Sequence, residues 1–597
     1  MTDRRQSADD SDELGPWNPG LKSSIPAKLL PLSTMFRPKT VETGFDEAHE
    51  LADFSGLRPR ETVAFRPERL IIHELLIRVT ADLSVPDGPD YEELGLNMRG
   101  MTARIYEQHV TPKLAELKSG HEQLVERAHD FMTSELATLD RLPDAEADQP
   151  SKKHGFLSRL FGGKEKPKTR PALSGGQGQT SLQAAEARWS LMEDPFERAC
   201  TEALGFATHA VLRTLGRLPA DKAVLARLAV NRFINDYGSV QLGRALDPII
   251  GQAAGTEEYR FLPAQAQPVV MNVKGASASG KSTIRMHQRA LAKQLGVPWE
   301  DFALISPDYW RKYLLEYESL DADRKYGAML TGHELEIIDR KLDRYMAEKA
   351  DLGTMPHLLI DRFRFDSFAT DDGRERGSNL LTRFGHTVFM FFMVTPPEAT
   401  VERAWSRGLS TGRFKAVDDL LAHNIEAYTG MPDLFFAWAL SDKKVHVEFL
   451  DNSVPKGERP RTIATGWNRC MTVFDIQGML NIERFKRVDI EAMSPDQIFD
   501  DASQATEANL AFLKQCCERM DQVIFADAAS GEPYAVVEDR RWTWRSGSSS
   551  QVAKETADIL EAAGLMSPDK SEGSRPIATG DAYYGKAVDC IVGVIAD

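Results

Sequence analysis

The stretch PVVMNVKGASASGKST constrains this chain more than any other. An apolar run at 269–273 leads into Gly275, Ala276, Ser277, Ala278, Ser279, Gly280, Lys281, Ser282 and Thr283, and a helical pattern continues through Arg289 and Leu295. This is G-x-x-x-x-G-K-[ST] in the strand–loop–helix setting that gives the pattern its meaning. Small residues let consecutive backbone N–H groups curl around phosphate oxygens, and the start of a helix adds its positive end. The loop is therefore expected to bind ATP. Lys281 would reach the β- and γ-phosphates, and the Ser282 hydroxyl would complete the shell of Mg²⁺.

The residues after the loop predict a small kinase core of the α/β class, a parallel sheet flanked by helices. In DFALISPDYWR a second apolar strand, 302–305, delivers Asp308 and then Arg311, which is read as a substrate-binding residue. Strands of an open parallel sheet present their C-terminal ends to the ligand crevice. Asp308 is thus placed to accept a proton from a substrate hydroxyl. In PHLLIDRFRFD a third strand, 358–360, exits at Asp361, Arg362 and Arg364. Asp361 is read as a Mg²⁺-orienting or substrate-binding carboxylate, and the arginines as planar donors for an anionic substrate. A fourth strand, 388–394, precedes a helix bearing Arg407, after which Gly408 and Gly412 bracket a stretch read as mobile that ends at Arg413. Phosphoryl transfer depends on gathered positive charge and exclusion of water, which two arginines on a hinged lid would provide.

The ordered set GASASGKST, SPDYWR, LLIDRFRFD and PPEATVERAWSRGLSTGRF resembles the zeta-toxin-type P-loop kinases over about residues 267–455. The resemblance implies that Lys281 and Ser282 hold ATP·Mg²⁺ and that Asp308 activates a hydroxyl. It also implies that Arg407 and Arg413 stabilise the transferring group, while Asp361 and its neighbouring arginines line the substrate side. Toxins of this family phosphorylate UDP-N-acetylglucosamine, and relatives act on other nucleotide-like or small substrates. They are commonly silenced by a helical antitoxin, which suggests a regulatory partner or inhibition in cis by this chain's own N-terminal helices. The chain departs from the toxin pattern with Asp at 361 in place of Glu, and with arginines only six residues apart.

The rest of the 597 residues divides by pattern. Residues 1–60 are Asp-, Pro-, Ser- and Gly-rich and read as a flexible segment. Positions 61–143 and 184–255 carry helical periodicities, with Gly120 marking a break. Between them, 144–183 reads as a linker, with seven Lys/Arg over 151–170 succeeded by Ser, Gly and Gln. Its LSGGQ at 173–177 matches the ABC-ATPase signature but stands upstream of the phosphate loop, where that motif has no role. The kinase domain is expected to span 256–469. A small mixed α+β C-terminal domain, 470–597, is expected to hold two strands, QVIFAD and EPYAVVEDRRWTW, and a late helix ending at Gly564.

A formal net charge of −16 argues against counterion-driven nucleic-acid binding. Five scattered cysteines offer no disulfide or zinc framework. No run approaches the ~20 apolar residues of a membrane helix, and the N-terminus lacks a secretory h-region, so the expected location is the cytoplasm. His209, His333, His357 and His423 are isolated and read as structural, although His423 and Asn424 lie near enough to the arginine stretch to touch nucleotide. The expected activity is transfer of the γ-phosphate of ATP to a hydroxyl of a small molecule, a nucleotide sugar or another nucleotide being the candidates. The alternatives are a polynucleotide 5′-hydroxyl kinase and an ATP-sensing scaffold. Oligomeric state is left open.

Overall fold

Apolar runs buried on both faces need helices on both sides, and this chain is built to supply them. The computed structural model describes residues 14–88, 91–139, 176–362, 381–455, 457–544, 551–565 and 589–595. The chain forms two units, one from Pro31–Leu75 and Tyr106–Gln252, the other from Met1–Leu30, Leu76–Ile105 and Ala253–Asp597. No helix among the described residues is long and apolar enough to cross a membrane.

The first unit is helical. Its Pro195–Leu215 helix shows how local chemistry sets the ends. Asp194 accepts from the backbone N–H groups of Phe196 and Glu197, Pro195 opens the first turn, and Gly216 closes the helix at φ 68°. Between those caps Phe196, Cys200, Ala203, Leu204, Ala207 and Val211 bury one stripe. The Leu114–Leu139 helix runs unbroken through Gly120, contrary to the expected break. A glycine costs a helix about 1 kcal/mol against alanine, and burial of Leu117, His121, Ala128, Met132 and Leu136 outweighs it. Two further segments are more ordered than their composition suggested. The linker gives way at Gly176 to a helix through Trp189, and the N-terminal segment holds a 3₁₀ turn, Ala27–Leu32, and a helix, Phe45–Ser55. The basic part of the linker lies outside the described residues.

The second unit is mixed α/β around one sheet. Its strands are β1 (Val269–Lys274), β2 (Phe302–Ile305), β3 (His357–Asp361), β4 (Thr387–Val394), β5 (Lys444–Asp451), β6 (Arg461–Trp467), β7 (Cys470–Val473), β8 (Gln522–Ala526), β9 (Pro533–Glu538) and β10 (Arg541–Trp544). Their order is β10-β9-β8-β7-β6-β5-β4-β1-β3-β2. The half from β2 to β5 is parallel, and β7 pairs with β8 in parallel as well, while the remaining neighbours run antiparallel. The core of the sheet is nearly continuous apolar sequence; every residue of β4 after Thr387 is buried. β1 sits between β3 and β4 with Val273 opposite Asp361, so the chain leaves β1 toward one side and later returns on the other. A crevice opens at the C-terminal ends of strands where such a reversal occurs.

β7 to β10, from the segment expected to form a small C-terminal domain, do not build a sheet of their own. β7 to β10 continue the same sheet, because β6 and β7 form an antiparallel pair that carries it across residue 470. EPYAVVEDRRWTW is likewise two strands, folded at Asp539 and Arg540 with φ of 49° and 63°. A two-residue turn with both residues left-handed matches sheet twist but normally uses Asn or Gly, so the sequence concealed it. Residues 589–595 return to the sheet. The backbone N–H groups of Val592 and Gly593 donate to the buried Glu448 carboxylate at 2.8 and 2.9 Å, and Thr462 donates its hydroxyl at 2.7 Å.

Candidate active site

The glycine-rich loop is held from behind. A Cβ on Gly275 would lie 2.9 Å from Met393 Cβ, and one on Gly280 would lie 2.1 Å from Asn452 Nδ2, so neither position admits a side chain without movement. Ala278 and Gly280 adopt φ of 62° and 89°, which turns the intervening backbone into a tight arch. Left-handed backbone costs a non-glycine residue about 1 kcal/mol or more, so the arch at Ala278 has to be braced. The Ser279 carbonyl at its crown accepts from Asn452 Nδ2 at 2.8 Å and Thr395 Oγ1 at 3.0 Å. The Tyr428 hydroxyl in turn receives Thr395 N–H at 2.7 Å and donates to Thr395 O at 2.8 Å. Thr395 comes just after β4, Asn452 just after β5, and Tyr428 lies on the Val417–Ala439 helix. Motif reading missed all three.

Lys281 opens a 3₁₀ turn, Lys281–Ile284, that precedes the Arg285–Gln294 helix. Ser282 and Thr283 share that turn, and Thr283 Oγ1 donates to Gly280 O at 2.7 Å. Lys281 Nζ bends back inside the arch to donate to Ala276 O at 2.8 Å and Gly275 O at 3.2 Å. Burial lowers its pKa, while Asp361 and Asp308 oppose that shift without cancelling it. Asp361, at the exit of β3, is pushed up by burial against the pull of Lys281 and Arg285. Arg285 Nη2 lies 3.8 Å from Asp361 Oδ2. Arg285 was not singled out from sequence, because a lone arginine in the first turn of a helix carries no distinguishing pattern.

Asp308 sits in a 3₁₀ turn, Pro307–Trp310, just beyond β2. Arg311 Nε lies 2.9 Å from one carboxylate oxygen and Arg413 Nη2 lies 2.7 Å from the other. Burial would raise the Asp308 pKa, but Arg413, Arg311 and Arg407 outweigh it and hold the acid well below its ordinary range. Arg407 also bears on Lys281. The four residues expected to perform catalysis, Lys281, Asp308, Arg407 and Arg413, are thus within electrostatic reach of one another. Behind this group Arg99 Nη1, from the Tyr91–Ile105 helix, donates to Tyr309 O at 3.2 Å. Gly95 on the same helix leaves room for the Tyr309 ring, which a Cβ there would approach to 2.5 Å.

The substrate-side expectations fare differently. Arg362 is 3% exposed, with Nη1 on Asp339 and Nη2 on Asp343, each at 2.8 Å, so it fastens the Gly332–Asp351 helix to β3 rather than facing a ligand. Aspartates four residues apart share one helix face and present two carboxylates to one planar fork. Arg311 is committed as well: besides Asp308 it donates Nη1 to Ala328 O at 2.6 Å and Thr331 Oγ1 at 3.1 Å. Arg364 lies outside the described residues. Gly408 is no hinge. It is buried in the Pro397–Thr411 helix, where a Cβ would come within 2.3 Å of the Phe414 ring. Gly412 ends that helix at φ 75°, turning the chain so that Arg413 points back to Asp308.

The N-terminal segment also reaches this region. Trp17 and Ala278 both pack against a cluster that includes Val401, Ala404, Leu420 and Leu421. Leu21 and Leu29 are buried with Tyr317, Tyr326 and Ala416, and Ile25 and Phe414 pack on the same cluster. Ser23 hydrogen-bonds Asp418, and Lys325 donates to Gly20 O. No protein-family model, no curated protein and no solved structure matches this chain.

Proposed function

We propose that the chain is an ATP-dependent phosphotransferase that moves the γ-phosphate to a hydroxyl of a small substrate, as zeta-toxin-type kinases do. The observation that carries this reading is the Asp308 carboxylate, bracketed by Arg311 and Arg413 within the fields of Lys281 and Arg407. A carboxylate ringed by cations beside a glycine arch with no room for side chains suits an anionic ligand flanked by a reacting hydroxyl.

The cofactor fit rests on the same residues. The left-handed backbone at Ala278 and Gly280, with the Lys281 ammonium inside the arch, suits a phosphate chain, and the Asp361 carboxylate is an oxygen ligand of the kind Mg²⁺ takes, for which the Arg285 guanidinium at 3.8 Å would have to give way. Ser282 and Asp361 are the residues that would hold Mg²⁺, whose chemistry would be to neutralise charge on the β- and γ-oxygens. Lys281 would exchange its two carbonyl partners for phosphate oxygens.

The substrate hydroxyl would donate to Asp308, its oxygen would form the new bond to the γ-phosphorus, and the bond to the β–γ bridging oxygen would break to release ADP. An acid held well below its usual pKa is a weak base. In a loose transition state the proton leaves late, so orientation of the hydroxyl matters more than basicity. Arg407 and Arg413 would offset charge on the transferring group.

Inhibition in cis belongs to the same proposal, assigned to the strap Leu14–Leu29 rather than to the N-terminal helices as a group, because Trp17 of the strap shares an apolar cluster with Ala278. Incubating the full chain with γ-labelled ATP and a metabolite extract tests the activity. Label should enter an organic product with the wild type and fall at least about 10²-fold with Asp308→Ala. Label confined to inorganic phosphate, or unchanged in the variant, would end the kinase reading.

A further inference from the structure

Two residues beyond Arg413 the chain places a second set of ionisable groups that the mechanism above does not use. Lys415 Nζ lies 2.6 Å from His423 Nδ1 and 3.2 Å from Asp419 Oδ2. His423 Nε2 lies 3.4 Å from Asp419 Oδ1. Asp419 and His423 are one turn apart on the Val417–Ala439 helix, so both face the same side and meet the Lys415 side chain together. The Lys415 and His423 side chains are only 16% and 11% exposed. A lysine that merely solvates a surface keeps its ammonium in water. This one is drawn inward and given two partners.

The charged groups that face the cluster are those of the candidate active site. Arg407, from the Pro397–Thr411 helix, and Asp308, from the turn after β2, both act on Lys415. Lys281, from the glycine arch, and Asp308 act on His423. Burial, then Lys415 and Lys281, hold the His423 pKa down to about 2, against the opposing pull of Asp308. A neutral imidazole, which that shift favours, can accept from the Lys415 ammonium through Nδ1 and orient it without repelling it.

We propose that Lys415, oriented by His423 and Asp419, is a further cationic residue of the phosphotransfer site and binds oxygens of the triphosphate alongside Arg407 and Arg413. The inference rests on the kinase reading and adds a specific group to it. Burial and Arg407 lower the Lys415 pKa to about 8 against Asp419 and Asp308. If its charge is used on the ligand, binding and turnover must weaken as that proton is lost, whereas an arginine at 415 keeps its charge throughout.

The test measures the Kd of a non-hydrolysable ATP analogue, and turnover where it occurs, from about pH 6 to about pH 10, a span that brackets the lysine's titration. It uses the full-length wild type, Lys415→Arg, Lys415→Met and His423→Gln, with thermal melts to verify folding. Wild-type affinity and rate should fall above pH about 8, by about tenfold per unit for the rate if the charge is essential. Lys415→Arg should flatten that limb. Lys415→Met should be weak at every pH with no alkaline limb, and His423→Gln, whose amide oxygen can still accept from the ammonium, should weaken binding by less than Lys415→Met and keep the limb. An alkaline limb identical in wild type and Lys415→Arg overturns the inference, assigns the limb to another group such as Lys281, and leaves the kinase reading intact. A wild type that binds no nucleotide removes the kinase reading and this inference together.

Discussion

At the scale of single residues, chemically similar side chains have taken different roles. Arg413 completes a pair with a half-exposed acid in the cleft, while Arg362 is fixed between two aspartates inside the fold. Breaking a buried ion pair by removing one partner costs about 3–5 kcal/mol. Arg362→Ala is thus expected to destabilise the fold by that order in urea titration, whereas Arg413→Ala should cost little stability and most of the activity. A reversal of those two outcomes would show that the roles have been exchanged. Sequence could not separate them. Both are arginines near a strand exit or a glycine, and the partners of Arg362 come from the Gly332–Asp351 helix, well upstream of it. Asp308 and Lys281 were legible because strand, loop and turn signals fixed their positions without reference to distant contacts. Thr395, Asn452 and Tyr428 were illegible for the converse reason: Thr395 and Asn452 reach the arch, and Tyr428 reaches Thr395, only after β4, β5 and a helix have packed.

At the scale of elements, β1 to β4 could be read directly, since each is a short, mainly apolar run set off by polar or turn residues. The end of the Pro397–Thr411 helix could not. Two glycines suggested a hinge, but one of them is packing space for Phe414 and only the other is a left-handed terminus. Gly408→Leu should push Phe414 aside and carry Arg413 with it. We expect a loss of phosphotransfer larger than the loss of affinity for nucleotide, measured as kcat against KM. An equal effect on both would place Phe414 outside the positioning of Arg413. The β9–β10 hairpin was missed because Asp539 and Arg540 adopt left-handed backbone without glycine. There, the antiparallel pairing of Trp542 with Val537 outweighs local preference.

At the scale of the whole molecule, the return of 589–595 to the sheet ties stability to pH. Burial raises the Glu448 pKa from 4.5 to about 7, against the N–H groups of Val592 and Gly593 and the Thr462 hydroxyl. A folded pKa above the unfolded value means that the native state binds the extra proton. This contribution is therefore most favourable below pH 4.5 and declines as pH rises to about 7; the total change is of order 3 kcal/mol. Glu448→Gln should flatten that decline in melts taken between about pH 5 and about pH 8, where the linkage acts, and an unchanged slope would assign it to other groups.

The strap from Leu14 to Leu29 has a consequence for any equilibrium measured on the intact chain. If its docked and lifted forms interconvert, a ligand that needs the lifted form binds with its intrinsic affinity multiplied by the lifted fraction, so about 2 kcal/mol of docking energy would hide roughly thirtyfold of affinity. Trp17 would sense that exchange as a change of indole environment. Replacing Leu21 and Leu29 with serine should tighten apparent nucleotide binding while speeding its onset, a pairing that loss of an ordinary structural contact would not produce.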